Sequence, residues 1–116
     1  MFVILWEFEV KAGSEDRFQN AYGPLGPWVQ LFERDPRYRG TLLQRDPTRP
    51  LFYFTIDFWD SEAAYHAFLD ASRLAYVELE RDSEPLTSHE RHILSFTLDP
   101  AAHTNMPTSP SGAKSG

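Results

Sequence analysis

A single carboxylate stands inside a strongly apolar stretch of the sequence. Residues 51–59 read LFYFTIDFW and alternate as a β-strand does, so that Thr55, Asp57 and Trp59 share one face. A carboxylate held among large apolar side chains either finds a partner or has a raised pKa. Asp57 is therefore the first candidate for a chemical role.

Two interpretations of Asp57 stay open. It can form a structural ion pair with Arg91, or with Arg39 or Arg45 of the neighbouring predicted strand. It can instead act as a general base that deprotonates a bound phenol, which requires the carboxylate to lie within hydrogen-bond reach of the hydroxyl. Arg91 is the expected charge partner if there is chemistry.

Aromatic side chains that could surround a flat ligand are abundant, at 15% of the chain. Tyr65 begins the second predicted helix one short loop after Trp59, so these two side chains can converge over the same strand end. Further aromatic residues can either line a flat-ligand pocket or fill the core: Trp6, Trp28, Phe32 and Tyr22. A phenol bound there would meet an apolar platform, the Tyr65 hydroxyl and the Asp57 carboxylate.

Metal binding is not expected from the residues available. The chain has no cysteine. His66 falls on the opposite side of the second predicted helix from Phe68, which indicates a solvated surface histidine. His89 and His92 fall on opposite faces of an edge strand, whereas two ligands of one metal would need the same face.

The balance of charge argues against two classes of partner. The formal net charge is −6, whereas nucleic acid and anionic membranes attract clustered Lys and Arg. No apolar run approaches the roughly 20 residues of a membrane span. Residues 1–10 are too short for a signal peptide and carry Glu7 and Glu9. Together with the absence of cysteine, these features predict a cytoplasmic protein.

Hydrophobic periodicity predicts four strands. They cover residues 2–10, 38–45, 51–60 and 89–98. Residues 99–116 are rich in Pro, Ser, Gly, Ala and Thr and predict a disordered C-terminal tail. The sequence therefore predicts one domain over residues 1–98.

Two helical regions separate these strands. The first runs from Ser14 to Tyr22, and the segment Gly23-Pro24-Leu25-Gly26-Pro27 breaks it before a second piece that begins at Pro27. The second region is capped by Asp60 or Ser61 and runs to about Arg81. Breakers therefore interrupt the first predicted helix but not the second.

The order β-α-β-β-α-β is that of a ferredoxin-like α+β fold. Right-handed crossovers place the first and third strands in the middle of a four-stranded antiparallel sheet, with both helices on one face. The third strand is apolar on both faces, so the side away from the helices also needs a cover. A second copy of the chain would supply it, which predicts a homodimer.

Four segments resemble the antibiotic biosynthesis monooxygenase family of the dimeric α/β-barrel superfamily. They are AYGPLGPW at 21–28, GTLL at 40–43, TIDFWDSE at 55–62 and HERH at 89–92. The resemblance covers residues 1–98. It implies a homodimer whose sheets form a shared barrel, and a monooxygenase that oxidises a flat aromatic phenol, quinol or polyketide-like substrate without a cofactor. The alternative is a non-catalytic dimer that binds a small molecule or a partner.

This sequence has only some of the polar site residues that are typical of the family. Its polyketide-type oxygenases have an Asn late in the third strand, then a Trp, a Tyr and an Arg, and the matching residues here are Thr55, Trp59, Tyr65 and Arg91. A threonine hydroxyl cannot present both an amide donor and a carbonyl acceptor. The haem-degrading branch has an Asn in the first strand and a His beyond the midpoint of the second helix, and the matching stretches here, Leu5-Trp6-Glu7 and Tyr76-Val77-Glu78, contain neither. The resemblance therefore implies no haem.

Overall fold

The computed structural model describes residues 1–99 and confirms the predicted α+β class. The elements are β1 Phe2–Val10, α1 Glu15–Tyr22, α2 Pro27–Phe32, β2 Tyr38–Arg45, β3 Phe52–Trp59, α3 Glu62–Ala71, α4 Arg73–Ser83 and β4 Thr87–Thr97. A short 3-10 turn over Glu84–Leu86 joins α4 to β4. Apart from Asp99, the predicted tail lies outside the described residues.

The sheet has the strand order β2-β3-β1-β4, and each neighbouring pair is antiparallel. This order confirms that the first and third strands are central. In the register, Asp57 of β3 lies opposite Ile4 of β1 and Thr41 of β2. Since paired residues project to the same side, these three residues share the face that the helices cover.

The break in the first helical region is confirmed, and it places Trp28. Gly26 approaches the end of α1 so closely that a Cβ atom there would lie 2.3 Å from the Asn20 carbonyl oxygen. Pro27 follows as the first residue of α2, where its missing N–H costs no hydrogen bond. The chain therefore turns sharply and directs α2 back over the sheet, with Trp28 buried.

The second helical region differs from the prediction because it is two helices. Ser61 caps α3 as expected, since its hydroxyl accepts a hydrogen bond from the Ala64 N–H at 3.1 Å. At Ser72 the backbone leaves helical geometry, with φ −114° and ψ 20°. Serine is a weak helix former because its side chain competes for backbone hydrogen bonds. The sequence around Ser72 contains no glycine or proline that would have predicted this break.

The face of the sheet away from the helices is not covered by them, and it is apolar around its centre. Ile56 lies at its centre, opposite Leu5 on one side and Leu42 on the other. Leu42 is 49% exposed, and on the far edge Leu94 and Phe96 are 42% and 43% exposed. A two-layer domain that worked alone would carry polar residues here. We refer to this surface as the open face.

Within residues 1–99, every helix is too short or too polar to cross a membrane.

Candidate active site

A small cavity lies between the sheet and the helices and encloses about 40 Å³. Its apolar wall consists of Trp6, Phe8, Tyr22, Trp28, Val29 and Phe32. Its polar lining consists of Thr41, Thr55, Asp57, Tyr76, Glu80 and Glu90. The wall comes from β1, α1 and α2, whereas the polar groups come from β2, β3, α4 and β4. The fold thus brings a largely aromatic wall and several polar groups together at one place.

Asp57 is the deepest charged group of this cavity. It is 8% exposed, and burial raises the pKa of its carboxyl to about 6, although a hydrogen bond from Thr41 works in the opposite direction. The Thr41 hydroxyl donates to Asp57 Oδ1 at 2.6 Å. Within residues 1–99, Oδ2 has no hydrogen-bond or ion-pair partner. A ligand with an O–H or N–H group would satisfy it.

Thr41 is held in turn by Tyr38. Their hydroxyl oxygens lie 2.5 Å apart, and since the Thr41 proton points to Asp57, the Tyr38 hydroxyl is the donor. The chain of hydrogen bonds therefore runs from Tyr38 through Thr41 to Asp57. It fixes one oxygen of the carboxylate and leaves the other without a partner among residues 1–99.

Replacing Thr41 with valine is expected to raise the pKa of Asp57 above about 6. The substitution keeps the shape of the side chain and removes the hydrogen bond that favours the ionised carboxylate. A titration of the Asp57 carboxyl carbon by NMR measures the effect. Tyr38→Phe, which leaves the Thr41–Asp57 bond in place, should change this pKa much less. An unchanged Asp57 pKa in Thr41→Val would contradict the assigned bond.

The predicted ion pair between Asp57 and Arg91 is wrong. Arg91 lies opposite Glu7 in the register, on the open face, and its guanidinium contacts the Glu7 carboxylate at 3.2 Å. Asp57 projects to the other side of the sheet, because it lies opposite Ile4, which is an odd number of residues from Glu7. Arg91 therefore does not reach the cavity.

Arg39 and Arg45, the two alternative partners of Asp57, also interact with other groups. Arg39 forms an ion pair with Asp60. Arg45 donates to the Pro50 carbonyl at 2.8 Å and lies over the Tyr53 ring. The structural ion-pair interpretation of Asp57 is thus not supported by any of the three arginines.

Trp59 and Tyr65 lie against each other as expected, with ring centroids 5.7 Å apart. Neither lines the cavity, however. Trp59 is fully buried and packs edge-on against Phe32, one of the wall residues. The Tyr65 hydroxyl contacts Tyr76, which does line the cavity. Both residues therefore support the wall from behind rather than face a ligand directly.

The other predicted binding residues all reach the cavity: Trp6, Trp28, Phe32, Tyr22 and Thr55. The Tyr22 and Trp28 rings stack with an interplanar angle of 23°. The Trp28 indole N–H donates to Ser83 Oγ at 3.0 Å, which fixes the ring. These contacts give the cavity a flat, rigid aromatic side.

Sequence reasoning missed four of the polar lining residues. Tyr76 and Glu80 are four residues apart on α4 and so share one helix face, which is a local signal that could have been used. Thr41 and Glu90 depend on the strand register, which no local pattern specifies. The missed residues give the site its hydroxyls and its outer carboxylates.

None of the histidines among residues 1–99 lines this cavity, although the His92 ring packs against Trp6 of its wall. His66 is exposed and its Nε2 lies 3.3 Å from the Glu62 carboxylate. His89 lies opposite Glu9 and His92 opposite Trp6, so the two point to opposite faces of β4, as predicted. Among residues 1–99, no three His, Cys, Asp or Glu side chains are grouped in a way that could hold a metal ion.

Comparison with known proteins places the chain in a recognised family. A family model described as antibiotic biosynthesis monooxygenase matches residues 1–75. No curated protein sequence matches the chain. The crystal structure of SnoaB, a cofactor-independent oxygenase from Streptomyces nogalater, superposes with a TM-score of 0.69 at 18% identity, covering 84% of this chain and 92% of SnoaB.

A second similar structure holds a ligand. It is an arginine-to-serine mutant of MhuD with two manganese protoporphyrin IX groups bound per active site. The TM-score is 0.66 at 20% identity, with 84% of this chain and 94% of that chain covered. At these identities the structural likeness establishes the fold alone.

Proposed function

Because the chain belongs to the antibiotic biosynthesis monooxygenase family, we propose that it is a monooxygenase that oxidises a flat aromatic phenol or quinol with O₂ and no cofactor. The observation that carries this proposal is the buried Asp57 carboxylate, which lines a largely aromatic cavity and has one oxygen without a partner among residues 1–99. A base with a pKa of about 6 is matched to proton transfer near neutral pH.

In the proposed reaction, Asp57 first takes the hydroxyl proton of an anthrone in its enol form. The phenolate passes one electron to O₂, and the resulting radical and superoxide combine into a peroxide at the ring carbon opposite the oxygen. Asp57 returns its proton to the peroxide and then takes the C–H proton as the O–O bond breaks and hydroxide leaves. That proton converts hydroxide into water. One oxygen atom enters the quinone product and the other becomes water.

The aromatic wall would orient and desolvate the substrate. Trp28 and Tyr22 supply a flat surface that excludes water from the ring, and the Tyr22 pKa is raised, mainly by burial, so its hydroxyl stays protonated and can donate. Fixing a phenolate beside O₂ in a dry site favours electron transfer without further groups. Tyr65 and Trp59 contribute by holding this wall in place.

The substrate would occupy two adjoining spaces of different size. The inner cavity has room for only a few waters. It adjoins an outer groove of about 560 Å³ between α4 and β4, and Glu80 and Glu90 border both spaces. The phenol ring would enter the cavity as the side chains at its mouth move apart, while the rest of the molecule occupies the groove. The groove has the size of ordinary ligand pockets.

The open face supports the proposal of a homodimer. Around Ile56, at the centre of the sheet, this face is apolar, and Leu42, Leu94 and Phe96 on it are partly exposed in a single chain. A second copy would bury the side chains around Ile56 and give each sheet its second cover. The homodimer would also hold β1 and β3, which carry Trp6 and Asp57, in a rigid position.

A non-catalytic binding protein is the alternative function. Thr55 favours it, because this residue lines the cavity where oxygenases of the polyketide type are expected to carry an asparagine. Oxygen uptake in the presence of anthrones and quinols separates the two. We expect uptake above the autoxidation rate with at least one compound, together with formation of the quinone. Tight binding of these compounds with no added uptake would support the alternative.

Haem is not expected to bind specifically, although the similar MhuD structure contains a porphyrin. Among the described residues, no histidine lines the cavity and only His89 lines the outer groove, and Glu80 and Glu90 at the mouth would repel haem propionates. A titration with haemin should therefore give no sharp Soret shift at one equivalent per subunit. Such a shift, abolished by replacing one histidine, would contradict this expectation.

A further inference from the structure

The mouth of the cavity carries two carboxylates from different elements. Glu80 projects from α4 and Glu90 from β4, and both line the cavity that contains Asp57. Partial desolvation, and secondly the charge of Glu80, raise the pKa of Glu90. The two glutamates are thus close enough to affect each other, and the cavity has acidic groups at both its inner and outer ends.

No cation of residues 1–99 lines this cavity. Arg91, which could have offset the acidic groups, is bound to Glu7 on the open face. The outer groove is also acidic on balance. Its lining includes two basic residues, Arg81 and His89, and three glutamates, Glu80, Glu84 and Glu90. An anionic ligand would therefore meet a net negative charge in the groove and again in the cavity.

The deepest acidic group is not merely part of a solvated surface. Asp57 is more than nine-tenths buried and lines the cavity, and its Oδ2 has no partner among the described residues. A carboxylate in that position accepts a hydrogen bond from its ligand and cannot donate one while it is ionised. The cavity is therefore built for a ligand whose polar groups are donors.

We infer that this site selects flat aromatic ligands that are uncharged or positively charged and that carry hydroxyl or amino donors, and that it rejects aromatic carboxylates. The inference rests on the proposed function for its ligand site and adds the charge class of the substrate. The three residues that set it are Asp57, Glu80 and Glu90. The first binds the donor, and the other two repel anions at the entrance.

A matched pair of ligands tests the inference without any oxygen chemistry. The pair is a hydroxynaphthoate, with hydroxyl and carboxylate at opposite ends of the ring system, and its methyl ester. Dissociation constants would be measured by calorimetry for the parent protein at pH 8. The carboxylate of the acid would lie about 6 Å from one net negative charge of the protein, at an effective dielectric constant between those of water and protein. Repulsion should then weaken binding of the acid, relative to the ester, on the order of tenfold. We therefore expect the ester to bind about tenfold more tightly.

Variants of the glutamates test whether Glu80 and Glu90 cause the preference for the ester over the acid. The double substitution E80Q/E90Q keeps the side-chain shapes and should narrow the difference between ester and acid to within about threefold. Glu78→Gln removes one carboxylate from α4 outside the cavity and the groove, and it should leave the tenfold difference unchanged.

Each other outcome overturns a specific part of the inference. Equal binding of acid and ester by the parent would overturn charge selection while leaving the aromatic site intact. A preference for the ester that survives in E80Q/E90Q would show that these glutamates do not cause it. If neither compound binds, the cavity is not a ligand site, and the proposed function fails together with the inference.

Discussion

Replacing Asp57 with asparagine is expected to remove most of the activity and to stabilise the fold. Asparagine keeps the shape and can still accept the Thr41 hydrogen bond, but it cannot take a proton from a phenol. Loss of a general base typically lowers the rate by about 10²–10⁴-fold. The measurement is the rate of oxygen uptake with the best anthrone or quinol found for the parent protein.

The stabilising effect follows from the sign of the pKa change. Burial raises the pKa of Asp57 from 3.8 to about 6, so between these values the folded state holds more protons than the unfolded state. Stability therefore falls as the pH rises through this window and stays lower above it. The ionised carboxylate costs up to about 3 kcal/mol at pH 7.5, and Asp57→Asn should recover part of that free energy of unfolding.

A nearby carboxylate provides the control for Asp57. Asp60 is three residues along the chain, is paired with Arg39, and has a lowered rather than a raised pKa. Asp60→Asn should therefore keep the rate and should not stabilise the protein. If Asp57→Asn lowers the free energy of unfolding, or oxidises substrate as fast as the parent, then Asp57 has a structural partner and is not the base.

Placing a charge at the centre of the open face is expected to separate the proposed dimer into monomers. The parent should sediment at twice the mass of the 13.4 kDa chain at micromolar concentration. In Ile56→Asp, a carboxylate would have to be buried without a partner among Leu5 and Leu42 of each copy. Loss of a central interface residue costs about 2–4 kcal/mol, which weakens association roughly 30- to 1,000-fold.

Leu74 provides a matched control for this substitution. It is 83% exposed and lies in the first turn of α4, where an aspartate suits the helix dipole. Leu74→Asp should therefore leave the dimer unchanged. A parent protein that sediments only as a single chain would contradict the homodimer, and a dimeric Ile56→Asp variant would place the interface on another surface.

Local sequence patterns were sufficient to predict most of the fold. The alternation through residues 51–60 placed Asp57 and Trp59 on one buried face, because strand periodicity depends only on neighbouring residues. The glycines and prolines of residues 23–27 marked the end of α1 for the same reason. Ser72 carried no comparable signal, so the division between α3 and α4 was not predicted.

The partners of the candidate base were not predictable in this way. Whether Arg91 reaches Asp57 depends on which residue of β1 it pairs with, and the irregularity in the β1–β4 register after Leu5 shifts that pairing. Thr41 reaches Asp57 from 16 residues away in sequence. Such contacts depend on how whole strands align, which is decided by the packing of the complete sheet.

The most direct test of the account is a crystal structure of the protein with the methyl ester of hydroxynaphthoate bound. We expect the ring system to lie between Trp6 and Trp28 and its hydroxyl oxygen to lie within about 3 Å of Asp57 Oδ2, the usual length of such a hydrogen bond. A ligand that binds elsewhere on the protein, or in the cavity with its hydroxyl directed away from Asp57, would contradict the assignment of this carboxylate as the base.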